Sequence, residues 1–255
     1  SRNHTEVLYK FLKLPITVVN KKKIDLIKIW GEKKINSFNY VIPSDISSSA
    51  FFIVLTLLSE RSNLIIKNVN INSSRTGCLS ILNKMGANII LKNKKIYKGE
   101  RIADIHVKSK KSFRPINCPI KYNTSAIDEF LILFLVAAKA KGVSYFKNLS
   151  ELNQKESPRL KLGSKILNMI GIKTKLTNSS IKIYGNPNLK LKKTLKIKNY
   201  FKDHRVMALA TIAALTIGGS WKIFDPNSIN TSFPSFFKIL KHELGAKINW
   251  ENEKI

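Results

Sequence analysis

Three strongly apolar stretches recur along the chain at similar intervals. They cover residues 47–58, 128–138 and 203–215, and each begins with Ser or Asp. Because nearly every face of these stretches is apolar, they predict helices that are buried inside a domain. Ser and Asp oxygens satisfy the free amides of a first helical turn, so Asp128 and Asp203 are predicted first as ordinary helix caps.

A second pattern marks the ends of shorter, amphipathic helices. Four times such a helix ends at a turn residue and leads into a strand, at Pro15, Gly86, Gly171 and Gly245. A repeat that recurs at intervals of about 70–85 residues is longer than a solenoid turn and contains several elements. The two patterns together predict a unit of helix, strand, helix, strand and strand.

The unit occurs three times and predicts an α/β domain over residues 44–255, with units at about 44–120, 121–199 and 200–255. Residues 1–43 hold the tail of an earlier unit, and residues 247–255 supply at most one closing strand for the last. If the units pack around a pseudo-threefold axis, the N-termini of their buried helices converge. Such an end of a domain attracts phosphate and carboxylate groups.

The net charge of +29 changes this picture little. The basic residues are 38 Lys and only 7 Arg, alongside abundant Asn and Ile, which is typical of A/T-rich codons. Arg, the preferred reader of base edges, is scarce. The lysine runs at 21–23, 92–95 and 108–111 fall in predicted turns. We therefore expect no specific nucleic-acid partner, although a basic nucleic-acid-binding module stays an alternative.

Cysteine, histidine and hydropathy patterns narrow the class of protein further. Cys78 and Cys118 are far apart, as expected for reduced thiols in a cytoplasmic protein. The apolar runs are too short to span a bilayer, and no leader peptide opens the chain. His4, His106 and His242 have no partners at metal-ligand spacing, so no metal site is predicted.

Two polar clusters interrupt the repeat. One is Lys-Glu-Ser-Pro-Arg at 155–159, and the other is Asp-His-Arg at 203–205. Their arginines, Arg159 and Arg205, are of the type that binds phosphate or carboxylate bidentately. Simpler roles stay open: a plain ion pair between Arg205 and Glu156, and a packed, non-catalytic His204.

Six phrases, in order along the chain, resemble those of the 5-enolpyruvylshikimate-3-phosphate synthase family. They read Pro-Ser-Asp-Ile-Ser-Ser-Ser-Ala-Phe at 43–51, Asn-Ser-Ser-Arg-Thr-Gly at 72–77, Ile-Asp-Glu at 127–129, Lys-Glu-Ser-Pro-Arg at 155–159, Asp-His-Arg at 203–205 and Thr-Ser-Phe-Pro at 231–234. The resemblance extends over residues 1–248 and matches slightly more than the second half of that enzyme. It implies two inside-out α/β barrels of three repeated units each, with residues 1–43 ending the first and residues 44–255 forming the second.

The resemblance also implies an activity that needs no cofactor. A family enzyme transfers the enolpyruvyl group of phosphoenolpyruvate to the 5-hydroxyl of shikimate 3-phosphate and releases phosphate. By resemblance, Asp128 binds substrate and takes the hydroxyl proton, and Glu156 transfers a proton at the methylene carbon. The basic side chains then bind the two substrates. Those implied to bind phosphoenolpyruvate are Lys155, Arg159 and Arg205, and the one implied to contact the shikimate phosphate is Arg2.

This chain departs from the family pattern at three positions. Pro158 replaces an acidic residue, Asn153 a basic one and Ser44 a glycine. The resemblance does not include the first half of the family enzyme, which supplies most contacts to shikimate 3-phosphate. We therefore expect poor activity without a complementing N-terminal half. A non-catalytic anion- or protein-binding remnant of the fold is the main alternative. A related UDP-N-acetylglucosamine enolpyruvyl transferase fits the Lys-Glu-Ser and Asp-His-Arg phrases less well.

Overall fold

The computed structural model describes residues 2–20, 24–31 and 33–250. The segment at residues 1–43, called the tail below, forms a helix and a hairpin. Helix α1 (His4–Phe11) precedes β1 (Ile16–Asn20) and β2 (Asp25–Ile29), which pair antiparallel. No side chain of α1 is buried. The lysine run at 21–23 lies outside the described residues.

The first repeated unit follows the predicted order of elements. It contains α2 (Ile46–Leu58), β3 (Asn63–Asn70), α3 (Gly77–Lys84), β4 (Asn88–Tyr97) and β5 (Glu100–Lys108). The strands form an antiparallel sheet in the order β3-β5-β4. Ser44, just before α2, adds a parallel bridge to Val69 at the other edge of β3.

The second unit repeats this arrangement. It contains α4 (Phe130–Ala138), β6 (Gly142–Phe146), α5 (Arg159–Met169), β7 (Thr174–Leu176) and β8 (Ile181–Gly185). The sheet order is β6-β8-β7, and Asn117 bridges in parallel to Tyr145 of β6. The turn residues Gly86 and Gly171 have φ values of +87° and +89°. Glycine adopts this left-handed conformation readily, which explains the recurring phrase at the helix ends.

The third unit is shorter. It contains β9 (Thr194–Ile197), α6 (His204–Ile217), β10 (Ser220–Ile223) and α7 (Phe236–Lys238), which continues as a π-helical turn over Ile239–Glu243. Strands β9 and β10 pair in parallel. Residues 247–250 hold no strand, and the rest of the predicted closing segment, 251–255, lies outside the described residues.

The buried helices α2, α4 and α6 pack against one another and form the centre of one hydrophobic core. All nine residues of α4 are buried, as their apolar pattern predicts. Asp203 caps α6 by accepting bonds from the amides of Arg205 (2.9 Å) and Val206 (3.4 Å), so that prediction is confirmed. The predicted cap at Asp128 is wrong, because α4 begins two residues later and Glu129 occupies its N-cap position.

Candidate active site at the converging helix ends

The N-terminal ends of the three buried helices meet at one end of the core. Ser47, in the first turn of α2, donates a hydrogen bond to the Glu129 carboxylate just before α4. Arg205, in the first turn of α6, donates from Nη1 to the Asp128 carbonyl oxygen at 3.0 Å. The convergence expected from repeat symmetry is therefore present, and the partial positive charge of the helix ends favours anions there.

Four cationic side chains surround the Asp128 carboxylate, which is 12% exposed. Oδ2 pairs with Arg2 and lies 4.0 Å from Nη2 of Arg205. Oδ1 lies 3.6 Å from Nη1 of Arg159 and 3.9 Å from Nζ of Lys155. Burial acts to raise the pKa of Asp128, but the charges of Arg205, Arg2 and Lys155 outweigh it and lower the pKa. The carboxylate is therefore ionised at neutral pH and can accept a proton.

Arg159 is held by carboxylates on two elements. Its guanidinium is 1% exposed and donates from Nε to Oδ2 of Asp203 at 2.9 Å, where the Ser157 hydroxyl also donates at 2.7 Å. Its Nη2 pairs with Glu156 at 2.5 Å, so the simpler pairing of Glu156 with Arg205 is not found. Burial opposes ionisation of Asp203, but Arg159 and Ser157 outweigh it and lower the pKa of Asp203.

The two candidate catalytic carboxylates have different surroundings. Asp128 is largely buried, whereas the Glu156 side chain is 55% exposed in the segment that leads into α5. One guanidinium, that of Arg159, joins them. Lys155 lies near Asp128 and also pairs with Glu151 at 2.9 Å. This asymmetry suits a pair in which one carboxylate accepts a proton and the other exchanges one with a ligand.

Contacts of the tail with the first unit place Arg2 in this cluster. Asn72 donates to the Asn3 side chain at 2.8 Å, and His4 pairs with Glu100 at 2.5 Å. These contacts hold the start of α1 beside the loop that precedes α3. The structure therefore brings together all six side chains that the sequence assigned to the site: Arg2, Asp128, Lys155, Glu156, Arg159 and Arg205.

Pro158 and Ser44 are accommodated without backbone strain. Pro158 precedes α5 with φ −71°, which is an ordinary proline value, and its carbonyl accepts the Leu162 amide at 3.0 Å. Ser44 pairs with β3 and is absent from the residues with positive φ. The side-chain amide of Asn153 donates a hydrogen bond to the Asn178 carbonyl oxygen at 3.3 Å.

His204 lies between Asp203 and Arg205 at the start of α6. Burial and the nearby Arg205 lower the pKa of the half-buried His204, which is therefore neutral at pH 7. Within residues 2–20, 24–31 and 33–250, no three His, Cys, Asp or Glu side chains are grouped so that they could hold a metal ion. None of the described helices combines the length and apolarity that a membrane span requires.

Sequence reasoning missed three residues next to the site. Glu129 is 3% exposed and pairs with Ser47, whose hydroxyl accepts from Nη2 of Arg75 at 2.7 Å. The signal was present, since Glu129 is a carboxylate at the start of an otherwise apolar helix. Its partners lie more than 50 residues earlier in the chain, so only the fold shows the network.

Comparison with known proteins gives one consistent family. The model of the family described as EPSP synthase (3-phosphoshikimate 1-carboxyvinyltransferase) matches residues 1–240. A 3-phosphoshikimate 1-carboxyvinyltransferase of Ruthia magnifica is 36% identical over 99% of this chain and 56% of its own length. One from Thermodesulfovibrio yellowstonii is 36% identical over 94% of this chain and 54% of its own length.

Solved structures agree in fold. An EPSP synthase of Acinetobacter baumannii superposes with a TM-score of 0.86 at 30% identity, over 99% of this chain and 56% of that one. An enolpyruvyl transferase of Streptomyces tendae, at 16% identity and a TM-score of 0.68 over 92% of this chain and 51% of that one, shows the same fold. The chain spans about half the length of the curated relatives it matches.

Proposed function

The chain belongs to the EPSP synthase (3-phosphoshikimate 1-carboxyvinyltransferase) family, and we propose that it carries part of the site for that reaction. The reaction moves the enolpyruvyl group of phosphoenolpyruvate to the 5-hydroxyl of shikimate 3-phosphate and releases phosphate. One observation carries the proposal: four cations surround the Asp128 carboxylate, and Arg159 links it to a second, open carboxylate, Glu156.

Each step of the proposed reaction has a residue in this cluster. Asp128 accepts the proton of the 5-hydroxyl while the hydroxyl oxygen bonds to C2 of phosphoenolpyruvate, and Glu156 gives a proton to the methylene carbon as the C2–C3 double bond becomes single. In the second step the bond from C2 to the phosphate oxygen breaks, Glu156 recovers a proton from the same carbon as the double bond re-forms, and the proton held by Asp128 leaves with the phosphate. This scheme gives the two carboxylates different tasks, and their unequal burial supports that division.

The cations bind the anionic groups of both substrates. Lys155, Arg159 and Arg205 bind the phosphate and carboxylate of phosphoenolpyruvate, and Arg2 contacts the phosphate of shikimate 3-phosphate. An incoming anion competes with Asp128 for these cations. Asp128 therefore becomes a stronger base when the substrates are bound, because the charges that lower its pKa are then shared.

We propose that a complementing N-terminal portion supplies the rest of the site. Exposed apolar side chains on the tail support this: Ile24, Ile27, Ile29, Trp30, Ile35, Val41 and Ile42. The sheet of the third unit gives further support, because β10 pairs only with β9 among the described strands. The first two units carry two more strands at the corresponding edge.

The buried free thiols Cys78 and Cys118 support a cytoplasmic location for this activity. A specific nucleic-acid partner is not proposed. If basic charge alone drove function, the chain would bind generic DNA with steep salt dependence and without regard to the cluster around Asp128.

Binding of phosphoenolpyruvate tests the proposal directly. The chain, mixed with the unmatched portion of the Ruthia magnifica relative and shikimate 3-phosphate, is titrated calorimetrically. Arg205→Ala is expected to weaken binding about tenfold or more, as for loss of a charged hydrogen bond. The matched control is Arg101→Ala on the exposed surface of β5, which leaves affinity unchanged. Equal affinity of the two variants would contradict the proposed site.

The main alternative is a non-catalytic remnant of the fold, which the burial of Arg159 against Asp203 favours. A remnant predicts anion binding without turnover. The same titration followed by an assay of phosphate release separates the two functions.

A further inference from the structure

We propose that Ser47, Glu129 and Arg75 form a positioning network that fixes the Asp128–Glu129 peptide, and through it the contact between Asp128 and Arg205. None of the three is assigned a part in the reaction. Their role in catalysis rests on the proposed function, but their effect on Asp128 is testable without turnover.

The hydrogen bonds of Ser47 have only one consistent direction. Nη2 of Arg75 can only donate, and it lies 2.7 Å from the Ser47 Oγ. The single hydroxyl proton of Ser47 is then directed to Glu129, whose carboxylate accepts it. Arg75 is itself held by Asp45, the cap of α2, at 2.9 Å. The Glu129 side chain is therefore anchored to the start of α2.

The anchored peptide, between Asp128 and Glu129, carries two groups of Asp128 that make contacts in the site, its carbonyl oxygen and its carboxylate. The Asp128 carbonyl oxygen, in the peptide bond to Glu129, accepts the 3.0 Å bond from Arg205. The Asp128 carboxylate on the preceding Cα pairs with Arg2 and lies near Arg205. A rotation of this peptide would move both contacts together. Anchoring Glu129 therefore holds the candidate base against its cations.

The burial of Glu129 supports a specific role. Burial raises the pKa of Glu129, although the Ser47 bond and the Arg205 charge act in the opposite direction. The other titratable groups that face it are Asp128, Arg75 and the buried thiol of Cys78. An apolar residue would avoid the cost of burying a carboxylate here, but it could not accept the Ser47 hydroxyl.

A simpler role for Glu129 is that of a nearby negative charge, and the two roles predict opposite signs. If only charge matters, removing it by Glu129→Gln or Glu129→Ala lowers the pKa of Asp128 in both variants. If position matters, Glu129→Gln keeps an oxygen for Ser47 and lowers the pKa of Asp128 slightly. Glu129→Ala releases the peptide and separates Asp128 from Arg205, so the pKa of Asp128 rises.

The test follows the carboxyl ¹³C signals of the intact chain labelled at Asp, with Asp128 assigned from Asp128→Asn. We expect Ser47→Ala to raise the apparent pKa of Asp128 by about one pH unit, as for a weakened pairing with a nearby cation. Ser47→Thr, which keeps the hydroxyl, leaves the apparent pKa of Asp128 at its wild-type value. The control is Ser164→Ala, at another buried serine, which bonds to Thr174. It leaves the apparent pKa of Asp128 unchanged.

An unchanged apparent pKa of Asp128 in Ser47→Ala would overturn the proposal. So would a fall of that pKa in Glu129→Ala equal to its fall in Glu129→Gln. The serine variants decide the matter if Glu129→Ala does not fold. Phosphoenolpyruvate binding of the complemented chain is a second readout, weakened about fivefold in Ser47→Ala. If wild type fails to bind, the proposed function fails while the titration of Asp128 still tests the network.

Discussion

Asp203 performs two tasks with one carboxylate. It caps α6 through the amides of Arg205 and Val206, and it neutralises the buried guanidinium of Arg159. Both oxygens are used, and the side chain is fully buried. The capping role alone would suit Ser or Asn as well, but the second task requires a charge.

Asp203→Asn is therefore expected to destabilise the chain strongly. The variant keeps a cap but leaves Arg159 without its buried partner, a change that costs about 3–5 kcal/mol. Urea unfolding measures the difference. Asp225→Asn, on the exposed turn before residue 226, serves as the matched control and stays within about 0.5 kcal/mol of wild type. Equal losses in the two variants would contradict the role assigned to Asp203.

Acidification is expected to destabilise the fold. Burial opposes ionisation of Asp45, Asp128 and Asp203, but hydrogen bonds and cations outweigh it and lower their pKa values. Their contribution to stability is fully present above the unfolded pKa of about 4 and is lost as pH falls through the lower folded values. Glu129, whose pKa is raised, opposes this trend.

Unfolding free energies measured between pH 6 and pH 3 test the sign. We expect a fall that is less steep in Asp203→Asn, which lacks one of the three groups. A stability that is constant or rises toward pH 3 would show that these carboxylates are not held as described.

The resemblance to the family predicted the residues of the site cluster but not how they pair with one another. The phrases at 127–129, 155–159 and 203–205 contain five of the six side chains that the structure brings together, and the sixth, Arg2, was a separate match to the family. The capping role of Asp128 was mispredicted because 3₁₀ turns at residues 120–126 delay the start of α4. Local sequence cannot show that cations from distant segments surround its carboxylate.

At the scale of elements, α4 and α5 approach closely at Gly163. A Cβ at this position would lie 2.8 Å from Cδ2 of Leu131 and 3.2 Å from Cδ2 of Phe134. The ring of Phe134 is itself packed against Phe130 and Phe146, so it cannot move freely. The small residue is what lets the amphipathic helix approach the buried one.

Gly163→Ala is expected to destabilise the chain by about 1–3 kcal/mol, despite the better helix propensity of alanine. Gly31→Ala is the matched control, since nothing lies within 4 Å of a Cβ at that position. Chemical denaturation of both variants gives the comparison. A neutral or stabilising Gly163→Ala would mean that the two helices separate at low cost.

Periodicity predicted the buried helices and the order of elements within a unit. It missed the short segments that pair in parallel with the first strand of each unit, at Ser44, Asn117 and β9. Two of these are single bridges, and β9 has only four residues. Segments this short carry no period, so their pairing depends on the sheet beside them.

At the scale of the whole molecule, the tail carries several large apolar side chains that are exposed. Trp30 is 54% exposed, and Ile24 and Ile42 are more exposed still. Several large apolar side chains exposed in one short segment are typical of a protein interface. The repeat pattern predicted this tail as the end of an earlier unit, and the resemblance to the family implied that it belongs to another domain.

Mixing with the complementing portion is expected to bury Trp30 and shift its fluorescence emission to shorter wavelength. Trp30→Phe removes most of this change, whereas Trp221→Phe, on β10, leaves the Trp30 contribution in place. An emission spectrum that does not change upon mixing, with both chains folded, would contradict docking through the tail.

The most direct test of the account is phosphate release from phosphoenolpyruvate and shikimate 3-phosphate by the chain mixed with its complementing portion. We predict turnover in the mixture, little in either part alone, and a loss of about 10²–10⁴-fold in Asp128→Asn and in Glu156→Gln. Asp225→Asn retains wild-type turnover. Absence of phosphate release from a folded, docked mixture, or full activity of Asp128→Asn, would contradict the central claim.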